Sequence, residues 1–465
     1  MNFVIYDFET TGTSPAYDQP VQFGAIVVNE DFLELDRVNL RCRVAPHVVP
    51  SPTAMLVTGV MPNDLTAADL PTYFEFSQKL YDFIGKWSPA IWIGYNSIKF
   101  DEMVMRQMFY QNLLPNIYAT QSNGNSRLDF MHVIHAVRKR APEILQWPLG
   151  DNGKISFKLD RLAPANGVAA HNAHDALGDV EATLALMQHV AKSAPELWGE
   201  LVECSDKHLI ADKLNSCEPL GYIVRYGGGD PKEIIGCLCG YDENNNNKAA
   251  FIDLEIPDVE NLLLAQDDDL LKAVKESPLK IRGIAINQAP ALLRAKHASH
   301  EVRQRAALVA QSPEFKKRVS QLMSQRYKAD DEEVAELPVE EAIYSGFYSN
   351  ADRALLEQWR KAPWDERHQL LREFEDPRLK QLGLRLVAFY APAALTSQET
   401  KRYSLWLTET VSVASEEGPK RRSWVDALKE LDTLCDERRA PAELLNKIRG
   451  YFVEQLKFHS RNGDH

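Results

Sequence analysis

Short apolar runs alternate with amphipathic stretches over the first 190 residues of the chain. The runs FVIYDF, VQFGAIVVN, RVNLRCRV and AIWIGYN are rich in Val, Ile and aromatic residues, which is typical of β-strands. Three longer stretches have helical spacing instead, and they begin at Asp101, Asp129 and His174. Three early strands followed by strand–helix alternation predict an α/β fold in which helices cover a sheet.

The pattern changes twice further along the chain. Near residue 195 it becomes a series of short β-like runs that are separated by Gly-rich and Asn-rich turns and interrupted by helical segments. The acidic stretch ADDEEVAELPVEE at 329–341 indicates a linker, and the residues after it are mostly helical in spacing. We therefore predict three domains: an α/β domain at 1–192, a β-rich domain with helical insertions at 193–342, and an all-α domain at 343–465.

The composition of the chain excludes some classes of protein. The net charge of −13, from 53 Lys and Arg against 66 Asp and Glu, disfavours a nucleic-acid coat protein that binds by overall charge but permits a local basic groove. The N-terminal residues show no secretory-signal pattern, and no apolar run has the length of a membrane span. The six cysteines lack a paired zinc-type spacing, so we expect free thiols in a cytoplasmic protein.

Two acidic residues interrupt the first predicted strand. Asp7 and Glu9 are two positions apart, so their carboxylates point to the same face. Side by side among apolar residues they repel each other and lose hydration, and a divalent cation such as Mg²⁺ or Mn²⁺ would offset both penalties. The alternative is an edge strand with two solvated acids. The following TTG disfavours it, because two hydroxyls and a flexible backbone suit the approach of a ligand.

A further acid follows the strand AIWIGYN. Asp101 begins a helix there, and it is either a simple N-cap or a group placed beside a metal-bound phosphate at the helix N-terminus. Asp129 also begins a helix, and the favourable interaction of an acid with the helix dipole is enough to explain it.

The stretch NAHDALGDVEAT combines a histidine with two acids. His174 and Asp179 would lie about 140° apart if both were inside one helix. They converge only if His174 lies at the loop–helix junction, where Asn172 can supply the cap, and Asp179 lies one turn into the helix. Asp175 is explained by the helix dipole alone.

Together these residues form a specific pattern. D-x-E on a first strand, an aspartate at a strand–helix junction about 90 residues later and H-x4-D on a late helix resemble the DEDDh exonucleases. The chain also resembles the bacterial exonuclease I family in GYNSIKFDEMVMRQMFYQNLL, NSRLDF, SFKLDRLAPANG, NAHDALGDVEAT and YSGFYSNADRA. This resemblance covers nearly the whole chain. It implies an RNase H-like exonuclease domain at 1–192, an SH3-like domain at 193–342 and a helical C-terminal domain at 343–465.

The resemblance also implies an activity. Members of the family degrade single-stranded DNA processively from the 3′ end, which yields 5′-mononucleotides in DNA repair and recombination. Two Mg²⁺ ions, replaceable by Mn²⁺, would be held by Asp7, Glu9, Asp101 and Asp179, with Asp7 bridging both ions. His174 would be the general base that takes a proton from the attacking water, since histidine titrates near neutrality.

Single-strand channels combine basic side chains with aromatic stacking platforms. Residues near the motifs supply both kinds of group, although packing or surface roles explain each one singly. The candidate DNA-contact residues are Thr10, Thr11, Gly12, Arg106, Tyr110, Tyr118, Arg127, Arg138, Lys158, Phe347, Tyr348 and Arg353.

A protein partner is implied as well: the acidic, apolar C-terminal tail of single-stranded DNA-binding protein. A basic rim beside an apolar pocket would bind such a tail. The family places one rim arginine in the segment VRKRAPE, but here Ala141 precedes Pro142 and Arg140 lies one position earlier. Other rim candidates are Arg303, Arg305 and Lys316 to Arg318. Without a coiled-coil or zipper pattern, we expect a monomer.

Two other functions fit parts of the pattern. An RNA-trimming or proofreading DEDDh exonuclease would share the acids and the histidine, but such chains are usually much shorter. A non-catalytic scaffold that binds DNA and single-stranded DNA-binding protein would share the architecture, yet it would be expected to have lost at least one of the five residues.

Overall fold

The computed structural model describes residues 1–168, 174–325, 337–414 and 421–462. The strands are β1 (Asn2–Thr10), β2 (Pro20–Val28), β3 (Glu34–Arg41), β4 (Ala90–Gly94), β5 (Ser126–Asp129), β6 (Leu220–Val224), β7 (Lys232–Asp242), β8 (Asn245–Asp253), β9 (Ile281–Ala285) and β10 (Leu292–Arg294).

The helices complete the inventory of elements in these ranges. They are α1 (Pro52–Thr58), α2 (Pro62–Thr66), α3 (Tyr73–Trp87), α4 (Asp101–Gln111), α5 (Phe130–Arg140), α6 (Leu159–Ala165), α7 (Ala176–Ser193), α8 (Pro195–Glu203), α9 (Lys207–Asn215), α10 (Val259–Leu264), α11 (Asp267–Lys275), α12 (His300–Ala310), α13 (Pro313–Gln325), α14 (Asn350–Lys361), α15 (Trp364–Leu370), α16 (Pro377–Tyr390), α17 (Ser397–Ser412), α18 (Trp424–Asp436) and α19 (Ala442–Asn462). Within the described residues, none of these helices is both long enough and apolar enough to span a bilayer.

The first sheet has the strand order β3-β2-β1-β4-β5. β1 pairs with β2 in antiparallel and with β4 in parallel, so it is a central strand rather than an edge. Its side chains alternate between two cores: Phe3 and Ile5 lie on one face, and Val4, Tyr6 and Phe8 lie on the other. The predicted α/β sheet covered by helices is therefore confirmed.

The second sheet has the order β10-β6-β7-β8-β9, and all of its pairs are antiparallel. Helices α10 to α13 share a core with one of its faces. The β-rich region with helical insertions is thus present as predicted. Cys237 and Cys239 are buried on β7, and all six cysteines are free thiols, as expected.

The helices after residue 343 pack on the first sheet's layers at two places. One core joins α14 and α16 to Tyr110 on α4 and to Leu113. The other joins α18 and α19 to Val21 on β2 and to Met55 on α1. The C-terminal helices therefore lie directly against the elements around β1.

Candidate active site

The carboxyl end of β1 carries the two acids that interrupt its apolar pattern. Carboxylate oxygens of Asp7, Glu9 and Asp179 all lie within 4.8 Å of one another. Asp179 comes from the first turn of α7, which packs on β1 and β2. Sequence positions more than 170 residues apart thus contribute to one cluster.

A glycine allows α7 to come this close to the sheet. Gly24 is paired with Asp7 across β1 and β2, and a Cβ on Gly24 would lie 2.6 Å from backbone atoms of Ala176 and Leu177. Glycine inside a buried strand is the sequence signal for such a close approach, and our sequence analysis did not use it.

Asp101 is the fourth acid of the site. It is buried and is the first residue of α4, whose N-cap position is held by Phe100, so the N-cap role considered from the sequence is wrong. The backbone N–H of Phe8 favours the charged form of both Asp7 and Asp101. The strand end and the helix start therefore face the same small volume.

The four acids disfavour one another's charged forms. Burial raises the pKa of Glu9 to about 9; repulsion from Asp179 and Asp101 adds to this, and Arg41 opposes it. Burial, followed by repulsion from neighbouring acids, also raises the pKa of Asp7 well above its usual range. Crowded, buried carboxylate oxygens are a donor set that fits hard divalent cations, whose charge would remove these penalties.

Asp175 has a definite structural role. It is the N-cap of α7, and its carboxylate accepts hydrogen bonds from the Gly178 N–H at 3.3 Å and from Gln22 Nε2 at 2.9 Å. It also pairs with Arg41 at 3.2 Å. These contacts tie the start of α7 to β2 and β3, so the helix-dipole explanation of Asp175 was incomplete.

Asp129 likewise does more than begin a helix. It caps α5 by accepting the N–H of Met131 at 2.9 Å, and it also accepts the N–H groups of Asn96 at 2.9 Å and Ile98 at 3.2 Å. Asn96 and Ile98 belong to the loop that leads from β4 into Asp101. Asp129 therefore helps to hold the loop that presents Asp101.

His174 lies at the loop–helix junction, as predicted. It is exposed, directly precedes the cap Asp175, and has a positive φ of 66°, which is uncommon outside glycine. The suggestion that Asn172 supplies the cap falls on residues 169–173, outside the described ranges, and the cap is Asp175. A catalytic role for His174 stays a prediction.

The segment Thr10–Gly12 after β1 is held mainly by internal contacts. The Thr10 hydroxyl donates to the Gly12 carbonyl at 2.7 Å, and the Thr11 hydroxyl donates to Asp18 Oδ1 at 3.0 Å. Thr11 is only 2% exposed with its hydroxyl bonded to Asp18, and its contact with the terminal nucleotide stays a prediction. Gly12 is also buried, whereas Thr10 keeps some exposure.

Two other candidate contacts lie inside the protein. Tyr110 is 1% exposed, and its hydroxyl donates to the Val339 carbonyl at 2.7 Å. Arg127 is buried against Glu102 at 3.1 Å and donates to the Asn287 carbonyl at 2.8 Å. Neither side chain offers a surface to a strand, because both join neighbouring layers of the fold.

A mainly aromatic surface surrounds Arg106 in the middle of α4. The Arg106 guanidinium is 4.9 Å from the centre of the Tyr118 ring, and its Nη1 donates to the Tyr344 hydroxyl at 3.4 Å. Both tyrosines are exposed, and Phe347, three residues after Tyr344, is 92% exposed. Sequence reasoning missed Tyr344, although it belongs to the quoted segment YSGFYSNADRA.

Four candidate DNA-contact residues remain, and two of them contact other side chains of the protein. Arg138 pairs with Asp230 at 3.0 Å and lies over Trp147, and Tyr348 is half-buried under Arg378. Lys158 and Arg353 are exposed near helix starts. Their contacts with DNA stay predictions.

A groove of about 910 Å³ lies between the first sheet's helices and the second sheet. Its charged side chains are mixed: Lys139, Arg140, Arg294 and Lys296 are basic, and Glu196, Glu200, Glu233 and Glu255 are acidic. Arg140 pairs there with Glu233, and Arg294 and Lys296 lie 3.7 and 3.5 Å from Glu200. Apolar groups line it as well, namely Leu197, Ile235, Leu293 and Val302.

The alternative rim arginines are engaged elsewhere. Arg305 pairs with Glu260 and Glu301, at 2.9 and 2.8 Å. Arg318 pairs with Asp267, and Arg303 lies 3.8 Å from Glu218. Lys316 donates to the Cys217 thiol at 3.6 Å. None of these described residues lines the groove.

Comparison with known proteins gives matches along nearly the whole chain. The family model described as Exonuclease matches residues 4–187, and the Exonuclease I C-terminal domain matches residues 337–455. Exodeoxyribonuclease I of Haemophilus influenzae is 28% identical over 428 residues, which cover 86% of this chain and 88% of the relative. Exodeoxyribonuclease I of Escherichia coli is 26% identical over 86% of this chain and 88% of its own length.

Solved structures agree with these matches. Exonuclease I from Methylocaldum szegediense has a TM-score of 0.81 at 26% identity, with 98% of this chain and 99% of that chain covered. E. coli exonuclease I in complex with a dA16 oligonucleotide has a TM-score of 0.80 at 25% identity, with the same coverage. A structure described as SSB/Exonuclease I in complex with an inhibitor has a TM-score of 0.79 at 26% identity and also covers 98% and 99% of the two chains.

Proposed function

The chain belongs to the exonuclease I family, and from that premise we propose how it hydrolyses single-stranded DNA from the 3′ end. The observation that supports the proposal is the acid cluster at the carboxyl end of β1, where oxygens of Asp7, Glu9 and Asp179 lie within 4.8 Å of one another. Asp101 adds a fourth acid, whose charge raises the pKa values of Asp7 and Glu9.

Divalent metal ions are the cofactors of this family's exonuclease domain, and this chain supplies the acids to hold them. We propose that two Mg²⁺ ions bind here, with Asp7, Glu9 and Asp179 as the main ligands and Asp101 at the side of α4. When bound, such ions lower the pKa of water and stabilise negative charge that develops on a phosphate. β1 and the first turn of α7 hold these oxygens close together, so little reorganisation is needed.

His174 is the proposed general base. It directly precedes the cap of α7, so it lies at the helix start that also carries Asp179, and its exposure lets it exchange a proton with solvent. Water attacks the phosphorus of the last phosphodiester while the imidazole accepts its proton, the bond from phosphorus to the upstream 3′-oxygen breaks, and this leaving oxygen takes a proton from solvent. The last nucleotide then leaves as a 5′-monophosphate, and the shortened strand keeps a 3′-hydroxyl.

The path of the strand is proposed from exposed aromatic groups and from the largely buried Arg106 between them. Tyr118 and Tyr344 flank Arg106, and rings of this kind stack on bases without regard to sequence. Phe347 extends the aromatic groups along the linker to α14. Thr10, which is partly exposed at the end of β1, is the proposed side-chain contact for the terminal nucleotide.

The groove between the two sheets is the proposed site for the tail of single-stranded DNA-binding protein. Its basic groups Arg140, Arg294 and Lys296 would pair with acidic residues of the tail. Its apolar floor, which includes Val302, would bind the apolar end.

One assay tests the function against both alternatives. Single-stranded DNA and RNA of matched sequence, labelled at the 5′ end, are digested with Mg²⁺ or with EDTA. We expect DNA to shorten from its 3′ end to mononucleotides only with the metal, and a 3′-phosphate to block digestion. Faster digestion of RNA would favour an exoribonuclease.

The second arm of the test uses Asp7→Ala. We expect loss of cleavage with DNA binding largely retained, because Asp7 lies in the acid cluster and not in the exposed aromatic surface. DNA binding without cleavage by the unaltered chain would instead support the scaffold alternative.

A further inference from the structure

The segment Thr10–Gly12 packs against the buried carboxylate of Asp18. Asp18 Oδ1 accepts the Thr11 hydroxyl at 3.0 Å, and Oδ2 accepts the Ser14 N–H at 2.9 Å. A Cβ on Gly12 would lie 2.5 Å from this carboxylate, so the backbone of the segment rests directly on Asp18. Any shift of Asp18 must therefore move the residues that immediately follow Glu9.

The charge of Asp18 is balanced by an arginine from the C-terminal helices. Arg422, just before α18, places Nη1 3.3 Å from Asp18 Oδ1 and donates to the Val49 carbonyl at 3.2 Å. Its Nε donates to Glu430 Oε2 at 3.2 Å. One guanidinium thus joins two segments of the N-terminal region to a single acid of α18.

Glu430 is linked through Ser51 to the segment Thr10–Gly12. Its Oε1 accepts the Ser51 hydroxyl at 2.6 Å, and the Ser51 N–H donates to the Thr11 carbonyl at 2.8 Å. Thr11, Asp18, Arg422, Glu430 and Ser51 therefore form a closed ring of contacts. The side chains of Asp18, Arg422 and Glu430 are 6%, 18% and 29% exposed, so solvent competes little for these bonds.

We infer that Arg422 and Glu430 are positioning residues for the reaction: they hold Thr10–Gly12 in the place from which it meets the terminal nucleotide. The inference rests on the proposed function. A substitution that displaces a reacting group by about 1 Å can lower the rate on the order of 10²-fold, even when the substituted residue does not touch the substrate. The C-terminal helices would then contribute to the geometry of hydrolysis as well as to packing.

Breaking the ring at Arg422 gives a clear expectation. Without the guanidinium, Asp18 keeps a buried charge whose partner is lost, and the segment that rests on it relaxes. For Arg422→Gln we expect kcat on an oligothymidylate to fall tenfold or more. The Kd for a longer oligothymidylate with a 3′-phosphate, measured in EDTA, should change less than twofold, because the proposed strand contacts at Arg106, Tyr118 and Tyr344 lie outside the ring.

Two further variants separate positioning from folding. Arg439→Gln is the matched control, since the partner of Arg439 among the described residues is the exposed Glu437 of the same region, and its kinetics should equal those of the unaltered chain. Arg422→Lys keeps the charge beside Asp18 and should restore part of kcat. The effects of Asp18→Asn and Arg422→Gln on kcat should be non-additive: the kcat of the double variant should be little lower than that of the worse single variant.

The outcomes decide between the possibilities. Unchanged kcat in Arg422→Gln, additive losses in the double variant, or a loss of activity that matches a loss of folded protein by circular dichroism would each overturn the inference. If the unaltered chain itself fails to digest DNA with Mg²⁺, the proposed function and the inference fall together. If it digests DNA and Arg422→Gln does so equally well, only the inference is overturned.

Discussion

At the residue scale, the five residues of the site differ in how far the structure constrains them. The acids are held by strand, helix and buried surroundings, whereas His174 is exposed and lies beside residues outside the described ranges. The proposed role of His174 therefore rests on the ability of its imidazole to accept a proton and not on its packing. Kinetic measurements on a variant can test that role directly.

We predict that His174→Ala lowers kcat by roughly 10²–10⁴, the usual contribution of a general base. The acid limb of the pH–rate profile, which reports protonation of the base, should disappear with it. His189→Ala is the control, because His189 is also exposed on α7 and its hydrogen-bond partner among the described residues is the Ile144 carbonyl. A normal acid limb in His174→Ala would rule out the role of the imidazole.

A second histidine makes stability depend on pH. His47 lies beside Trp406 between β3 and the C-terminal helices, and burial, with Arg385 and Arg421 nearby, lowers its pKa to about 3. Unfolded, it titrates near 6.5, so the unfolded chain binds a proton that the folded chain does not. Its contribution to stability is present above pH 6.5 and is lost as the pH falls towards 3.

We therefore predict that the thermal unfolding midpoint falls less between pH 7.5 and pH 5 in His47→Gln than in the unaltered chain. Glutamine keeps a polar side chain at this position but cannot take up the proton. Thermal unfolding at the two pH values, with His208→Gln as an exposed control, measures the effect. An equal fall in His47→Gln and in the unaltered chain would show that His47 does not carry this pH dependence.

Residue types and spacing predicted the acid cluster but not the burial of single side chains. Asp7 and Glu9 were identified because like charges on an apolar strand need an explanation. Nothing in the local sequence distinguishes buried Tyr110 or Arg127 from exposed Tyr118, because their burial depends on Val339 and Asn287, more than 150 residues away.

At the element scale, the positions of helix starts decide which groups meet. The sequence analysis predicted α4, α5 and α7 close to their observed bounds but omitted α3, although its buried residues Phe76, Leu80, Ile84 and Trp87 follow helical spacing. Its start carries a usable signal, since Thr72 and Glu75 form a capping box in which Glu75 accepts the Thr72 N–H at 2.8 Å.

The close approach of α7 to β2 at Gly24 gives an element-scale prediction. Gly24→Ala puts a methyl group 2.6 Å from the backbone at Ala176, so α7 must move away and take Asp179 with it. We expect a lower unfolding midpoint and at least a tenfold loss of kcat, with a weaker response of the midpoint to added Mn²⁺.

Gly85→Ala is the matched control for that change. Gly85 lies on α3 with no atom within 4 Å of its added methyl group, and alanine is the better helix former. Its midpoint should stay equal or rise slightly. If Gly24→Ala kept full activity and the full response to Mn²⁺, the close approach of α7 would not be what places Asp179.

At the scale of the whole molecule, the sequence indicated three regions in the right order but not how they share cores. Val21 and Met55 pack with α18 and α19, and Tyr110 packs with α14 and α16. Apolar periodicity says that a face is buried, yet it cannot say against which distant element. Contacts such as the ring through Arg422 are therefore found only in the folded chain.

The groove between the two sheets allows a last prediction at this scale. Lys296 lines the groove and is more than half exposed, with Glu196 and Glu200 each 3.5 Å away, so reversing its charge should change the groove's field without removing core contacts. For Lys296→Glu we expect at least tenfold weaker binding of a synthetic acidic peptide with an apolar C-terminal end, measured by fluorescence anisotropy.

The difference should shrink as salt is raised, because ionic strength screens partly exposed charges. Lys272→Glu on α11 carries the same change of charge outside the groove, and its affinity for the peptide should match that of the unaltered chain. Equal weakening in both variants would mean that the peptide responds to net charge alone. Unchanged affinity in Lys296→Glu would place the tail elsewhere on the molecule, away from the rim that Arg140 and Arg294 share with it.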